Sequence, residues 1–419
     1  MRITIFAAGS RGDIQPCVVL GRGLQRAGFE VRLAAPENFA GFIQEHGLYV
    51  HPLRGDVQQI MAGDTGRDFM ESGSANPIRS IRAVRTMLGP VAMQMAADAL
   101  EACREADALI SLSVFATFAS SIAEAWGIPL IDVEPTPMLP TGAFPAPGWP
   151  VQRNLGRLHN RLSGLAMLQV IWLWYRPYVN EFRKQHGLPP YGSASFYRIL
   201  KSTPLLGAYS PMVVPRPPDW PEGARITGYW FPEEGAGWQP APELQTFLEA
   251  GDPPVYVGFG SMAGRNPQQF AALVLEALAK SGRRGLLLTG WGGMQAVPAP
   301  EDVFVVDSAP HSWLFPRMAA VVHHGGAGTT AEGLRAGLPT VIVPFILDQP
   351  FWGKRVRALG VGPEPIPRKN LTADSLAHAI HGAVTQPEIK QRAAKLGAAI
   401  RAEDGVGKAL NLIKQILGA

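Results

Sequence analysis

The stretch His323-His324-Gly325-Gly326-Ala327-Gly328-Thr329-Thr330 closes an apolar run, AVV, with two imidazoles, three glycines and two hydroxyls. Glycines let backbone N–H groups approach a ligand closely, and the N-terminus of a helix starting near Thr329 or Thr330 favours negative charge. Phosphate is the ligand this pattern suits; a plain tight turn of a doubly wound sheet is the alternative. His323 and His324 are strand neighbours that point to opposite faces, so they do not form a metal pair. Near the start, GSRGDIQP holds Asp13 in a glycine-rich turn, where a carboxylate is either a turn residue before a helix opened by Pro16 or a general base. Glu332 and Asp348 have bland readings too, as a first-turn acid and as a helix cap. No GxGxxG follows either opening strand and no GxxxxGK[ST] occurs, which argues against a nicotinamide cofactor and a P-loop.

These groups need elements to hold them. Arg2–Ala8 reads as a buried strand, followed by a glycine-rich turn and a helix carrying Cys17, Leu20, Leu24 and Ala27 on one face. Val31–Pro36, Ala108–Val114 and Ile128–Glu134 continue a parallel sheet of doubly wound type. Eight prolines between Pro211 and Pro242 have linker composition. The same grammar then restarts with Val255–Ser261 and continues through Leu286–Thr289, Val303–Val306, Ala319–His324 and Thr340–Phe345. Two α/β sheets are therefore expected, and two such domains facing each other would make one deep cleft. Tail helices are expected around Ile389–Ile400 and Val406–Leu417, with a break at Gly405.

At 419 residues the chain has room for two or three domains at about 150 residues each. A charge of +4 without a Lys/Arg block is compatible with a phosphorylated ligand or weak contact with an anionic membrane, and not with a nucleic-acid face. Cys17 and Cys103, the only cysteines, form neither a zinc spacing nor a disulfide framework, and a reducing cytoplasm is the simplest setting. The N-terminal apolar run is too short for a signal-peptide core, and the absence of about 20 uninterrupted apolar residues excludes a spanning helix.

GSRGDIQP, the HHGGAGTT segment and DQPFWGKR (Asp348–Arg355), in this order, resemble the UDP-glycosyltransferase superfamily. The likeness is greatest to sterol glucosyltransferases and to bacterial enzymes that glycosylate macrolides, glycopeptides and carotenoids. It implies an α/β fold of the GT-B type: two Rossmann-like doubly wound parallel-sheet domains with an interdomain cleft. The expected division is an acceptor domain over 1–210, a linker over 211–242, a sugar-nucleotide domain over 243–388, and C-terminal helices over 389–419 returning to the first domain.

The resemblance also implies roles. Asp13 stands where many bacterial relatives have a catalytic aspartate, and plant relatives a histidine. His323 matches the histidine that bonds the donor pyrophosphate, a task shared by Gly325, Gly326, Gly328, Thr329 and Thr330. Glu332 matches the glutamate on the ribose, Asp348 and Gln349 the pair on the sugar hydroxyls, and Gly260 and Ser261 the first loop of the donor domain. Ser308, before Ala309, Pro310 and His311, replaces a plant tryptophan over the base, leaving uracil and thymine open. Ser111 or Ser113 falls where plant relatives carry an aspartate that orients their histidine. On the acceptor side, Leu162–Tyr178 is apolar almost all round after Arg153, Arg157 and Arg161. It reads as a buried helix, or as an apolar acceptor wall carrying Trp172, compatible with a membrane surface. Met138, Phe144 and Trp149 could line the same pocket.

The activity implied is metal-independent, inverting transfer of a hexose such as glucose from a UDP-sugar to a hydroxyl of an apolar aglycone, with no cofactor and no nucleic-acid partner. The alternatives are a nucleotide-sugar epimerase of the same architecture and a catalytically silent lipid- or nucleotide-binding protein.

Overall fold

The computed structural model describes residues 1–55, 60, 63, 66, 77–112, 115–232, 238–260, 266–289 and 298–419, with backbone alone for 77–80. It forms two compact units, Met1–Pro232 with Asp404–Ala419, and Glu233–Glu403.

In the first unit the described strands make one parallel sheet in the order β3-β2-β1-β4-β5-β6-β7. They are β1 (Arg2–Phe6), β2 (Glu30–Pro36), β3 (Tyr49–Leu53), β4 (Ala108–Leu112), β5 (Leu130–Glu134), β6 (Leu205–Gly207) and β7 (Ala224–Ile226). Helices lie on both faces, which is why the central strands are near-continuous apolar runs. On one face α1 (Arg11–Arg26) buries Ile14, Cys17, Val18 and Leu24 beside Ile3, Ile5 and Val31. On the other lie α3 (Pro77–Ala102), α4 (Ala116–Trp126), α5 (Arg157–Gln185) and α6 (Ser193–Ser202); the short α2 (Ala40–Glu45) precedes β3. Helix α5 buries Leu168, Trp172, Tyr175, Val179 and Phe182, a stripe at i, i+4, i+7, i+11 and i+14.

The second unit has the parallel order β10-β9-β8-β11-β12, built from β8 (Val255–Gly258), β9 (Gly285–Leu288), β10 (Val303–Val306), β11 (Ala320–His323) and β12 (Thr340–Ile342). Helices α7 (Pro242–Glu249), α8 (Pro267–Ser281), α9 (His311–Leu314), α10 (Ala327–Ala336), α11 (Gln349–Leu359), α12 (Ala373–Thr385) and α13 (Pro387–Arg401) cover it. Phe270 and Val274 of α8 meet Leu376 and Ile380 of α12 over Val257, Val322 and Val341.

Three expectations shift. Helix α1 starts at Arg11, five residues before Pro16, because Ser10 and Asp13 form a capping box. The Pro-rich stretch is ordered through Pro232 as part of the first unit: Val213, Val214 and Trp220 are buried and β7 lies within it. Proline removes helical hydrogen bonds, not packing. The tail divides, with α13 packed on α10 in the second unit and only α14 (Gly405–Leu417) packed on α1. No helix among the described residues is long and apolar enough to cross a membrane.

Candidate active site

In a doubly wound sheet, ligands gather beyond the carboxyl ends of strands where the winding reverses. The first unit reverses between β1 and β4, the second between β8 and β11. Asp13 follows β1, and the glycine segment follows β11.

Asp13 is half-buried at the third position of α1. Its Oδ2 accepts the Ser10 N–H at 2.7 Å and the Ser10 hydroxyl at 2.9 Å. The turn wraps this carboxylate so closely that a Cβ on Gly9, at φ 134°, would collide with Oδ2. These bonds fix where the carboxylate sits at the helix N-terminus. The turn-residue reading of Asp13 holds, since its carboxylate caps α1.

In the second unit His323 ends β11 and is wholly buried. Burial, aided by His324 and His311, pushes its pKa well below the ordinary histidine value, so the ring is neutral at pH 7. Nδ1 accepts the Gly325 N–H at 3.0 Å, which assigns the proton to Nε2. That Nε2 is buried with no hydrogen-bond partner among the described residues. An unmet buried donor costs about 1–3 kcal/mol, a cost that a bound acceptor removes. The His324 ring lies at 88° to that of His323, and burial takes its pKa to about 4. No His/Cys/Asp/Glu cluster suited to a metal occurs among the described residues.

Gly325 turns the chain at φ 93°, where a Cβ would also lie 2.7 Å from Ile342 Cγ2. Gly326 caps α10. The first bond of that helix runs from the Thr330 N–H to the Gly326 carbonyl at 3.0 Å. The N–H groups of Ala327, Gly328 and Thr329 precede it and have no intrahelical acceptor. Thr330 departs from its expected part: it is buried, and its hydroxyl donates to the Gly326 carbonyl at 2.8 Å, so its proton is spent within the helix. Glu332 lies in the second turn, not the first. It is largely buried, with Arg335 Nη1 at 3.8 Å from Oε2.

Asp348 occupies the cap position of α11 without capping it; its Oδ2 accepts the indole N–H of Trp352 at 2.8 Å. Gln349 is buried, and its Oε1 accepts the N–H groups of Phe345 and Ile346 at 2.8 and 3.1 Å. Leu347 beside them is held at φ 56°, a strained conformation for leucine. Ser308 is exposed after β10, whereas His311 stacks on Phe315 and meets the Tyr256 hydroxyl at 3.2 Å through Nε2. Ser261 and Ser113 lie outside the described residues.

On the acceptor side the first unit has an open groove of about 680 Å³ lined by Trp149, Leu158, His159, Leu162, Ser163, Leu165 and Ala166. Of the residues expected there, Trp149 contributes, and so do Leu162, Ser163, Leu165 and Ala166 from the start of the apolar Leu162–Tyr178 segment. Met138 and Phe144 are half-buried outside it. Trp172 is core, stacked on Phe196 at 5.3 Å, because it points inward with the stripe of α5.

Two buried acids escaped the sequence reading. Asp132 and Glu134 alternate along β5, and burial raises their pKa values to about 7 and about 8. Glu134 Oε2 accepts the Met138 N–H at 3.1 Å, and Asp132 Oδ1 has no partner among the described residues. The available signal was two carboxylates at i and i+2 in an otherwise apolar strand.

Residues 3–145 match the glycosyltransferase family 28 N-terminal domain, and 292–405 match the erythromycin biosynthesis protein CIII-like C-terminal domain. The O-mycaminosyltylonolide 6-deoxyallosyltransferase of Streptomyces fradiae is 39% identical, over 99% of this chain and 97% of its own. A sterol 3-beta-glucosyltransferase of Arabidopsis thaliana is 38% identical, over 98% of this chain and 67% of its own. Among solved structures, the Streptomyces sp. SF2575 glycosyltransferase SsfS6, complexed with thymidine diphosphate, superposes with a TM-score of 0.65 at 21% identity over 99% of both chains.

Proposed function

This chain belongs to the glycosyltransferases of GT-B fold, the family of these macrolide and sterol enzymes, and on that premise we propose that it transfers a hexose such as glucose from UDP-hexose to a hydroxyl of an apolar aglycone, with inversion. The observation that carries the donor half is His323: a buried, neutral imidazole whose Nε2–H has no partner among the described residues, just before the first N–H groups of α10 in the chain. Together they suit a diphosphate.

In this reading Asp13 accepts the proton of the acceptor hydroxyl as its oxygen bonds the anomeric carbon. The bond from that carbon to the phosphate oxygen breaks, and its electron pair leaves with UDP. The charge that develops on the leaving oxygen falls to the His323 Nε2–H and to the N–H groups of Ala327, Gly328 and Thr329, which perform the service a cation would otherwise supply. A single displacement inverts the centre. Glu332 takes the ribose hydroxyls, and Asp348 with the Gln349 amide takes the sugar hydroxyls.

The open groove beside Trp149 has apolar walls that suit a ligand of sterol or macrolide class, with His159 as a polar point. Both named relatives are transferases, which favours neither an epimerase nor a silent binder.

The test is incubation with UDP- and dTDP-sugars and a panel of sterols, macrolides and flavonoids, with and without EDTA, followed by mass spectrometry. A glycosylated product formed equally in EDTA supports the reading. Hydrolysis or epimerisation of the donor with every acceptor refutes it.

A further inference from the structure

We propose that the start of α5 and the loop before it form a docking surface for a bilayer carrying anionic lipid. Four large apolar side chains stand outward here: Val151, Leu155, Leu158 and Leu162 are 45, 56, 74 and 54% exposed. Leu158 and Leu162 are one helical turn apart on one face, and Arg157 and Arg161 form the adjacent exposed row, with Arg153 just before the helix. No aspartate or glutamate occurs between Glu134 and Glu181, so this stretch carries cationic charge alone. From outside the stretch, Asp219 acts on Arg161.

The leucines are not on a loose tail. Gln152 Nε2 donates to the Ala146 and Trp149 carbonyls at 2.8 and 2.7 Å. Buried Asn160 donates to the Gly142 carbonyl and to Asn154 Oδ1 at 3.0 and 2.9 Å. Ser163 accepts the Ala146 N–H at 3.0 Å. A loop tied at this many points presents its apolar side chains in a set position, so no ordering cost falls on docking.

What covers such a patch must supply hydrocarbon and negative charge together. A symmetric contact with a second copy would set one arginine row against the other. A lipid surface satisfies both needs: leucines enter the acyl boundary while arginines reach phosphates along their aliphatic stems. Leu158 and Leu162 also line the 680 Å³ groove, which makes the outward patch continuous with it. The docking itself does not depend on glycosyl transfer.

The test is co-sedimentation with vesicles of phosphatidylcholine alone or mixed equally with phosphatidylglycerol. The protein should pellet with the anionic vesicles and be released by salt. Because each arginine near a charged membrane contributes about a factor of five, Arg153→Glu with Arg157→Glu should weaken binding by more than about tenfold. Leu155→Ser with Leu158→Ser should do the same. All four positions are exposed, and an unchanged circular dichroism spectrum and thermal midpoint show that the variants are folded. Equal binding to both vesicle types, or binding untouched by either variant, overturns the proposal. So does a concentration-dependent dimer in light scattering that the leucine variant abolishes without any vesicle binding.

Discussion

Replacing His323 by asparagine separates two jobs that the imidazole performs. The Asn amide oxygen can stand where Nδ1 accepts the Gly325 N–H at 3.0 Å, so the turn into α10 is kept. Nothing in the shorter side chain reaches the position of Nε2, the buried donor assigned to the diphosphate. A hydrogen bond to a charged group contributes about 1.5–3 kcal/mol, which at about 1.4 kcal/mol per decade is a loss of about ten- to 150-fold in UDP affinity. Calorimetric titration with UDP and with uridine makes the measurement specific, because uridine has no phosphate to lose. The expected result is a weakened UDP isotherm and an unchanged one for uridine, with His323→Gln recovering part of the loss by reaching further. Equal weakening of both ligands would show that His323 only shapes the loop, and unchanged UDP affinity would remove it from the donor site. Either outcome refutes the reasoning from the orphaned Nε2–H.

Three further outcomes are expected. Asp13→Asn keeps an acceptor for the Ser10 N–H, so folding and donor affinity should hold while transfer falls by about 10²–10⁴, the usual share of a general base; near-full turnover would leave Asp13 as a cap alone. Asp348→Asn keeps an acceptor for the buried Trp352 indole and should weaken UDP-glucose about tenfold while sparing UDP, whereas Glu332→Gln should weaken both; matching losses on UDP would make Asp348 a support of its loop. The third concerns pH. Asp132, raised to about 7 in the fold, stays protonated where the unfolded chain at about 3.9 has released its proton. The native state therefore binds more protons, and stability falls by up to about 1.4 kcal/mol per pH unit as pH rises between those values, then levels off. Asp132→Asn should remove this slope, so that its advantage in urea denaturation over the parent grows from pH 4.5 to pH 7.5; parallel curves would contradict the buried-acid assignment.

The sequence alone determined what depends on local chemistry. Short apolar runs followed by glycine turns marked β1, β8 and β11, since a strand buried on both faces admits little else and the turn must follow it directly. A helix N-terminus in the glycine segment was readable for the same reason, though it opens at Ala327 and not near Thr329 or Thr330, and Asp13 and His323 were readable as polar groups beside those turns. Tertiary structure decided everything that depends on which surfaces meet. Pro387–Arg401 and Gly405–Leu417 carry the same amphipathic spacing, yet one packs on α10 and the other on α1, because periodicity says that a face is buried and not against what. Trp149 and Trp172 look alike in an apolar segment, and only packing sends the first to a groove wall and the second into the core. The proline-rich stretch 211–232 announced the absence of helix, but Trp220 and β7 join it to the first sheet through contacts distant in sequence. Thr330 and Gln349 were placed by the family resemblance among groups that meet a ligand. The fold commits the Thr330 proton and the Gln349 oxygen to backbone partners, because a buried polar atom takes the nearest complement that the chain itself supplies.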